Sequence, residues 1–236
     1  ALVLSGGGAK GISEIPILHV IDSLNIPIDY VIGTSMGAIG GSLYSIGYSP
    51  DEISELILKT PWELIIFDKK NRKKLNYFQK NDFQKYQARF TLKNLKPQMP
   101  LGLSSGHETY LYLNRLTRHN ELINDYNNFV IPFRCNATDL LSGNEIIFSS
   151  GSISKALRAS SSISSVFSPV DDEKLLLVDG GVLNNLGTDI AKDLGADIII
   201  AVDASPQSKE KSDIKDVFDV LSQSIQLNAL KKKMKN

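Results

Sequence analysis

Short apolar runs rich in isoleucine, valine and leucine recur along the chain, and patterns typical of helices separate them. The runs are "LVLS", "YVIG", "FVIPFRCNA", "EIIFS", "LLLVD" and "DIIIAVD". Their hydrophobicity is continuous rather than alternating, which is typical of strands covered on both faces, as in parallel sheets. The pattern therefore predicts an α/β fold with three α/β/α layers and a mostly parallel central sheet.

An amphipathic helix is predicted in "ISEIPILHVIDSLN", between the first two runs. Proline is compatible with a helix only in its first turn, so Pro16 indicates that this helix starts near Ser13. Its apolar positions are Ile12, Ile15, Leu18 and Ile21.

A second helix carries its own start signal in "SPDEISELIL". Ser49 is the expected N-cap, Pro50 the first helical residue and Glu52 the third, which together form a capping box. Gly47 stands just before them and is the expected residue to end the preceding helix.

The length of 236 residues fits one domain, which we expect to span residues 1–236. Residues 61–128 are polar and aromatic, and they predict an insertion at one edge of the sheet. Within it, residues 69–96 hold ten Lys or Arg and a single acid, Asp82. Two interpretations stay open: an insertion that solvates its lysines, or a surface that binds anionic lipid.

Charge, cysteine content and aspartate spacing limit the classes of ligand and partner that we expect. The formal net charge is zero, and no nucleic-acid-binding motif accompanies the basic stretch, so we expect no nucleic acid partner. Cys135, the single cysteine, lies in a predicted strand and is expected to be a buried structural thiol. No metal site is expected, because the spacing of five aspartates does not resemble one. These are Asp139, Asp171, Asp172, Asp197 and Asp203.

The glycine cluster in "LVLSGGGAKG" matches the spacing G-x-G-x-x-G at Gly6, Gly8 and Gly11. A dinucleotide site would also need an acidic residue at the carboxyl end of the second strand. The only candidate, Asp29, precedes the run "YVIG" and so stands at the wrong end of that strand. The loop is better interpreted as holding a different anion.

The second strand instead leads into "GTSMG", a G-x-S-x-G sequence. This pattern predicts a sharp strand-to-helix turn that exposes the hydroxyl of Ser35, while Gly33 and Gly37 leave room for the turn. A right-handed crossover would make the two strands parallel neighbours, so the glycine loop would face Ser35.

An anion held between the loop and Ser35 would be the oxyanion of a tetrahedral intermediate. The expected donors are the N–H groups of Gly7, Gly8 and Met36, the last being the residue after the nucleophile.

A serine nucleophile needs a proton acceptor. The histidine of an α/β-hydrolase would follow the serine and the acid, but His19, His107 and His119 all lie too early in the chain. Asp179 ends the run "LLLVD", a position at which α/β folds present catalytic groups. The alternative for Asp179 is an aspartate that opens a tight turn.

Four segments, "GGGAKG", "GTSMGA", "RASSSISSVFSPV" and "DGGVLNN", resemble the patatin-like phospholipases, in that family's order and across nearly the whole chain. The resemblance implies a Ser35–Asp179 dyad, an oxyanion loop at Gly6 to Gly8, and hydrolysis of a phospholipid acyl ester without metal or cofactor. It favours the A1 position over A2. The positions that support the motifs are Lys10, Gly11, Gly33, Gly37, Gly180 and Gly181.

A closer likeness is to a bacterial branch whose members precede an outer-membrane barrel as an exported passenger. It implies export to the cell surface or beyond, with a cytoplasmic location as the alternative. A homodimer and a C-terminal outer-membrane domain outside this chain stay open as partners. The alternative functions are a nucleotide-binding oxidoreductase and a non-catalytic membrane-binding passenger.

Overall fold

The computed structural model describes residues 1–69, 91–93, 96–98, 100–164, 166–205, 220, 223 and 227. The basic stretch at 69–96 lies outside the described residues, except for Lys69 and the main chain of 91–93 and 96–98. Its contact with lipid therefore stays a prediction.

Seven strands form one sheet within the described residues, and two more form a separate antiparallel pair. The strands are β1 (Leu2–Leu4), β2 (Val31–Gly33), β3 (Thr91–Lys93), β4 (Lys96–Gln98), β5 (Phe133–Asp139), β6 (Glu145–Phe148), β7 (Val170–Asp172), β8 (Leu175–Asp179) and β9 (Ile200–Val202). The order in the large sheet is β7-β8-β5-β2-β1-β9, and β6 also pairs with β5.

The sheet is parallel in one half and antiparallel in the other. β9, β1, β2 and β5 are parallel neighbours, as the apolar runs predict, whereas β6, β7 and β8 pair in antiparallel fashion. Only residues 140–144 join β5 to β6, and only residues 173–174 join β7 to β8. Connections this short can join only antiparallel strands, because a parallel pair needs a crossover of a dozen or more residues.

Strands β2 and β8 meet end to end beside β5. Along β5, Cys135 pairs with Gly33 of β2, and Ala137 pairs with Asp179 of β8. β6 pairs with Cys135–Thr138 and so occupies the other edge of β5. Since a strand has only two edges, β2 and β8 share the remaining one, and their carboxyl ends face each other.

Seven α-helices lie in the described residues, and the first three of them lie where the sequence predicts helices. They are α1 (Ile15–Ser23), α2 (Met36–Ser45), α3 (Pro50–Lys59), α4 (Trp62–Ile66), α5 (His107–Thr117), α6 (Ile153–Ser160) and α7 (Thr188–Asp193). Gly8–Glu14 and Gly180–Val182 form 3₁₀ helices, as do Arg118–Asn120 and Tyr126–Asn128. In the described part of the chain, no helix combines the length and the apolar character that crossing a bilayer requires.

Two helix predictions can be compared with the structure in detail. The capping box of Ser49 and Glu52 is confirmed. The helix predicted from Ser13 begins instead at Ile15, because the preceding residues form the 3₁₀ helix, and Pro16 lies in the first α-helical turn as expected.

Helices cover both faces of the sheet, which explains why its strands are apolar throughout. Successive residues of β1 alternate between two cores. Leu2 and Leu4 pack with the helices from α1 to α6, whereas Val3 packs with α7 through Ile190 and Ala191. These two helical layers and the sheet make the three predicted layers.

Helix α2 lies against β1 with no space for a side chain at Gly37. A Cβ there would lie 2.5 Å from the Ser5 carbonyl oxygen and 2.6 Å from that of Leu4, so Gly37→Ala should lower the free energy of unfolding by about 1–3 kcal/mol. Gly40 in the same helix is the matched control, because no atom of the described residues outside the local helix backbone lies within 4 Å of its added Cβ. Gly40→Ala should raise stability by roughly 0.5–1 kcal/mol. Urea denaturation measures both, and shifts of the same sign would contradict the close approach at Gly37.

Candidate active site

Ser35 stands on a sharp turn between β2 and α2. Its backbone has φ 54° and ψ −118°, a conformation that is rare for a residue other than glycine. The Ser35 N–H donates to Ser160 Oγ at 3.0 Å. Gly33 makes room for the turn, since an added Cβ would lie 2.6 Å from the Gly37 carbonyl oxygen.

The hydroxyl of Ser35 contacts Asp179. Ser35 Oγ donates to Asp179 Oδ2 at 2.7 Å, although the two residues are 144 positions apart in the sequence. The end-to-end meeting of β2 and β8 accounts for this contact. Asp179 thus reaches the site from an antiparallel strand, and not from a parallel one as its apolar run predicts.

The rest of the Asp179 carboxylate is held by the turn that follows it. Its Oδ1 accepts the Gly181 N–H at 2.8 Å, and the Asp179 N–H donates to the Ser162 carbonyl at 2.9 Å. Burial raises the pKa of Asp179 to about 6, against the opposing effect of the hydrogen bonds from Ser35 and Gly181. The carboxylate is therefore more basic than that of an exposed aspartate.

The glycine loop faces this pair, but the N–H of Gly6 is already in use. It donates to the Asn185 carbonyl at 3.2 Å, and Asn185 Nδ2 donates back to the Gly6 carbonyl at 2.8 Å. In this structure the polar groups of Gly6 therefore fix the loop, and the assignment of Gly6 to the oxyanion-binding donors stays a prediction. Within the described residues, no hydrogen bond engages the N–H groups of Gly7 and Gly8.

The remaining motif residues shape the loop and the turn. Lys10 is exposed, and its N–H donates to the Gly7 carbonyl at 3.1 Å. A Cβ on Gly11 would lie 2.7 Å from the Met36 side chain, so the loop packs directly on the first residue of α2. The turn after β8 is equally tight. A Cβ would lie 2.5 Å from the Asn136 carbonyl oxygen at Gly180 and 2.5 Å from Asn185 Oδ1 at Gly181.

The end of α6 holds the main chain of both Ser35 and Asp179, a contact that was not predicted from the sequence. Ser160 accepts the N–H of Ser35, and the carbonyl of Ser162 accepts that of Asp179. Arg158 anchors this segment by donating to Ser162 Oγ and, at 3.2 Å, to the Gly106 carbonyl. The run of three serines at the end of an amphipathic helix was the only signal in the sequence.

A buried polar network underlies the same place. Thr34 Oγ1 donates to Asn136 Oδ1 at 2.8 Å, and Asn136 Nδ2 donates to the Asn184 carbonyl at 2.8 Å. Asn184 Nδ2 in turn donates to Glu145 Oε1 at 2.9 Å and to Asp189 Oδ1 at 2.8 Å. Thr34, which precedes Ser35, is thus connected through Asn136 to Asn184, five residues after Asp179.

The other residues considered as catalytic or binding groups do not take part in the contact between Ser35 and Asp179 within the described structure. His107 and His119 are exposed, and His19 contacts Ser54 and Asp51. Asp29 is exposed and precedes β2, as the sequence indicated. Among the described residues, no group of three or more His, Cys, Asp or Glu has an arrangement that could hold a metal ion. Cys135 is buried, and burial raises the pKa of its thiol far above the usual range.

Among known proteins, this chain is similar to lysophospholipases and to a protein with a patatin-like phospholipase domain. The lysophospholipase NTE1 of Phaeosphaeria nodorum is 31% identical over 202 residues, which cover 86% of this chain and 12% of that protein. The lysophospholipase NTE1 of Pyricularia oryzae is 32% identical with the same coverage. Patatin-like phospholipase domain-containing protein 7 of Mus musculus is 27% identical over 229 residues, 94% of this chain and 14% of that protein. The chain thus spans 12–14% of the length of these relatives.

Among solved structures, the crystal structure of VipD from Legionella pneumophila covers 78% of this chain and 46% of that chain. Its TM-score is 0.49 at 16% sequence identity, too distant a likeness to support a conclusion. A model of the patatin-like phospholipase family matches residues 2–192 of this chain. The chain belongs to the patatin-like phospholipase family.

Proposed function

We propose that this chain hydrolyses acyl esters of phospholipids, with Ser35 as the nucleophile and Asp179 as its base. Membership of the family supports lipid ester hydrolase activity. The observation that carries the assignment of residues is the hydrogen bond of 2.7 Å from Ser35 Oγ to Asp179 Oδ2.

In the first step, Ser35 Oγ attacks the carbonyl carbon of the ester while Asp179 Oδ2 takes the hydroxyl proton. A base works best when its pKa is near the working pH, and the raised pKa of Asp179, about 6, brings it closer to neutrality than an ordinary aspartate. The negative charge on the carbonyl oxygen meets the N–H groups of Gly7, Gly8 and Met36.

Collapse of this intermediate breaks the ester bond, and the alcohol leaves with the proton that Asp179 had accepted. An acyl group then remains on Ser35. A water molecule attacks that acyl carbon and gives a proton to Asp179, and the fatty acid is released as Ser35 recovers its proton. Asp179 ends in the ionised form in which it began.

Exposed apolar side chains near the pair suit a lipid substrate. Leu101 and Leu103 are 73% and 62% exposed. Their segment pairs with the loop that carries Ile163, which is 41% exposed. The Ser162 carbonyl beside Ile163 accepts the Asp179 N–H, so this loop reaches the candidate site. These groups support access from a membrane surface, and the lysine-rich stretch at 69–96 would add attraction to anionic lipid.

The names of the relatives suggest that a lysophospholipid is a substrate to test first. Wild-type protein should release fatty acid from a one-chain lysophospholipid or from a phospholipid with distinguishable chains, detected by mass spectrometry. The identity of the released chain separates A1 from A2 cleavage, and Ser35→Ala protein provides the blank. Tight dinucleotide binding without release of any fatty acid would instead favour the oxidoreductase, which family membership does not support.

The wider setting of the chain is also a proposal. Its likeness to exported bacterial passengers leads us to propose action at or beyond the cell surface. Separation of cell fractions, with detection of this chain in each, tests that location. If the chain is instead a non-catalytic membrane-binding passenger, it should bind phospholipid vesicles and release no fatty acid from them.

A further inference from the structure

Glu14 is a buried carboxyl group that the proposed reaction does not use. It ends the 3₁₀ helix Gly8–Glu14 and is only 3% exposed. Its Oε1 accepts the Ser5 N–H at 2.9 Å and the Ser5 hydroxyl at 3.2 Å. A buried acid without strong partners is costly, so its presence next to the glycine loop calls for an explanation.

The two bonds from Ser5 to Glu14 close the glycine loop at its base. Ser5 precedes the loop, Glu14 follows it, and the residues between them include Gly7 and Gly8. Ser5 Oγ also accepts the Ala204 N–H at 2.7 Å, and a Cβ on Gly7 would lie 2.6 Å from the Ala204 carbonyl oxygen. Glu14, Ser5 and the segment after β9 thus form one connected support beneath the loop.

We propose that Glu14 is a positioning residue that holds Gly7 and Gly8 in the geometry needed to stabilise the oxyanion. The proposal rests on the proposed hydrolysis, because it assigns Glu14 to the donors of that reaction. Preorganised donors stabilise a developing charge only when they are held in place before the reaction begins.

The protonation state of Glu14 determines which substitution should preserve this role. Burial raises its pKa to about 8; the hydrogen bonds from Ser5 oppose the shift, and the charge of Asp203, just after β9, adds to it. Glu14 is therefore mostly neutral at pH 7. Glutamine has the shape of a neutral glutamic acid and keeps the accepting oxygen, whereas leucine keeps the volume and loses the acceptor.

The test compares Glu14→Gln with Glu14→Leu on a soluble short-chain ester at pH 7. Glu14→Leu should lower kcat about 10- to 100-fold, somewhat less than removal of an entire oxyanion donor, with KM changed by less than about twofold. Glu14→Gln should stay within about threefold of wild type. A residue that served only the fold would not separate kcat from KM in correctly folded protein.

Alkaline pH supplies an independent readout. Wild-type kcat should fall as the pH rises through about 8, because ionised Glu14 places a negative charge beneath the N–H groups that stabilise the oxyanion. Glu14→Gln cannot ionise and should lack this fall. An identical alkaline decline in both proteins would overturn the proposal, and this comparison remains available if Glu14→Leu does not fold.

Hydrogen–deuterium exchange of residues 5–12 separates this proposal from the proposed function. Exchange there should increase in Glu14→Leu and stay near the wild-type level in Glu14→Gln, whether or not the protein hydrolyses any ester. Unchanged exchange in Glu14→Leu, or full kcat in that variant, would overturn the role of Glu14. Absence of hydrolysis in wild type, with exchange as expected, would instead contradict the proposed function while the support of the loop by Glu14 stands.

Discussion

Ser35→Ala is expected to reduce ester hydrolysis to the background rate, a loss on the order of 10⁴-fold or more. The reason is that the variant lacks the oxygen that would carry the acyl group, while the oxyanion donors and the carboxylate stay in place. Fatty acid release measures the loss directly. A fluorophosphonate probe, which reacts with activated serines, should label the wild type and leave Ser35→Ala unlabelled.

Ser13→Ala is the matched control for the nucleophile. Ser13 is exposed on the 3₁₀ helix after the glycine loop, and its hydroxyl donates to the Lys10 carbonyl at 2.7 Å. This variant should keep wild-type activity and labelling. Circular dichroism and the unfolding midpoint establish that both variants are folded. Labelling that persists in folded Ser35→Ala protein would show that another serine is the nucleophile.

Asp179→Asn is expected to lower kcat by about 10²-fold or more, because an amide cannot accept the proton of Ser35. Steady-state rates on a soluble short-chain ester measure the change without any contribution from membrane binding. Replacement of His19, His107 and His119 together is the control, since within the described structure none of them contacts Ser35 or Asp179. A folded triple variant without activity would contradict the assignment of Asp179 as the base.

The pKa of Asp179 predicts the acid side of the pH profile. Its value of about 6 means that the carboxyl becomes protonated as the pH falls through that region, and a protonated carboxyl cannot accept from Ser35. Wild-type kcat/KM should therefore fall about tenfold for each pH unit below about 6. A flat profile between pH 5 and 7, at constant folded fraction, would contradict the role of Asp179.

The ionised form of Asp179, which the proposed reaction needs, should lower the stability of the folded protein. The folded-state pKa, about 6, lies above the ordinary value of 3.8, so the folded state binds the proton more tightly than the unfolded state. The contribution of Asp179 to the free energy of unfolding is consequently lost as the pH rises from 3.8 to about 6. At pH 7 the folded state carries the full cost of burying the ionised carboxylate. Asp179→Asn removes that cost and should raise the free energy of unfolding at pH 7 by up to about 3 kcal/mol. A less active protein that is more stable is thus the expected outcome.

Local signals in the sequence were sufficient for several elements. The Ser49–Glu52 capping box, the apolar runs of β1 and β2, and the strand-to-helix turn at Ser35 are all found where their patterns predict them. These features depend on residues within one turn of a helix or a few positions of a strand, so residues close together in the sequence are enough to predict them. The order of four motifs was enough to expect the patatin-like phospholipase family.

Other features could not be predicted because they arise between distant segments. The run "LLLVD" looks like a parallel strand, since burial on both faces produces the same apolar pattern in either direction. β8 is in fact antiparallel, and Asp179 meets Ser35 because β2 and β8 end against each other along β5. Asp179 therefore lies at the end of an antiparallel strand, whereas its prediction rested on a parallel one.

The sequence by itself determined the family, the three layers, the serine turn and the two residues proposed as the dyad. The tertiary structure alone decided which main-chain groups around them are still available: the N–H of Gly6 is taken by Asn185, and that of Ser35 by Ser160. It also revealed the contact from Glu14 to Ser5. The physical reason is that the partner of a buried N–H or carboxyl is set by the packing of segments far apart in the chain, which no short pattern of residues records.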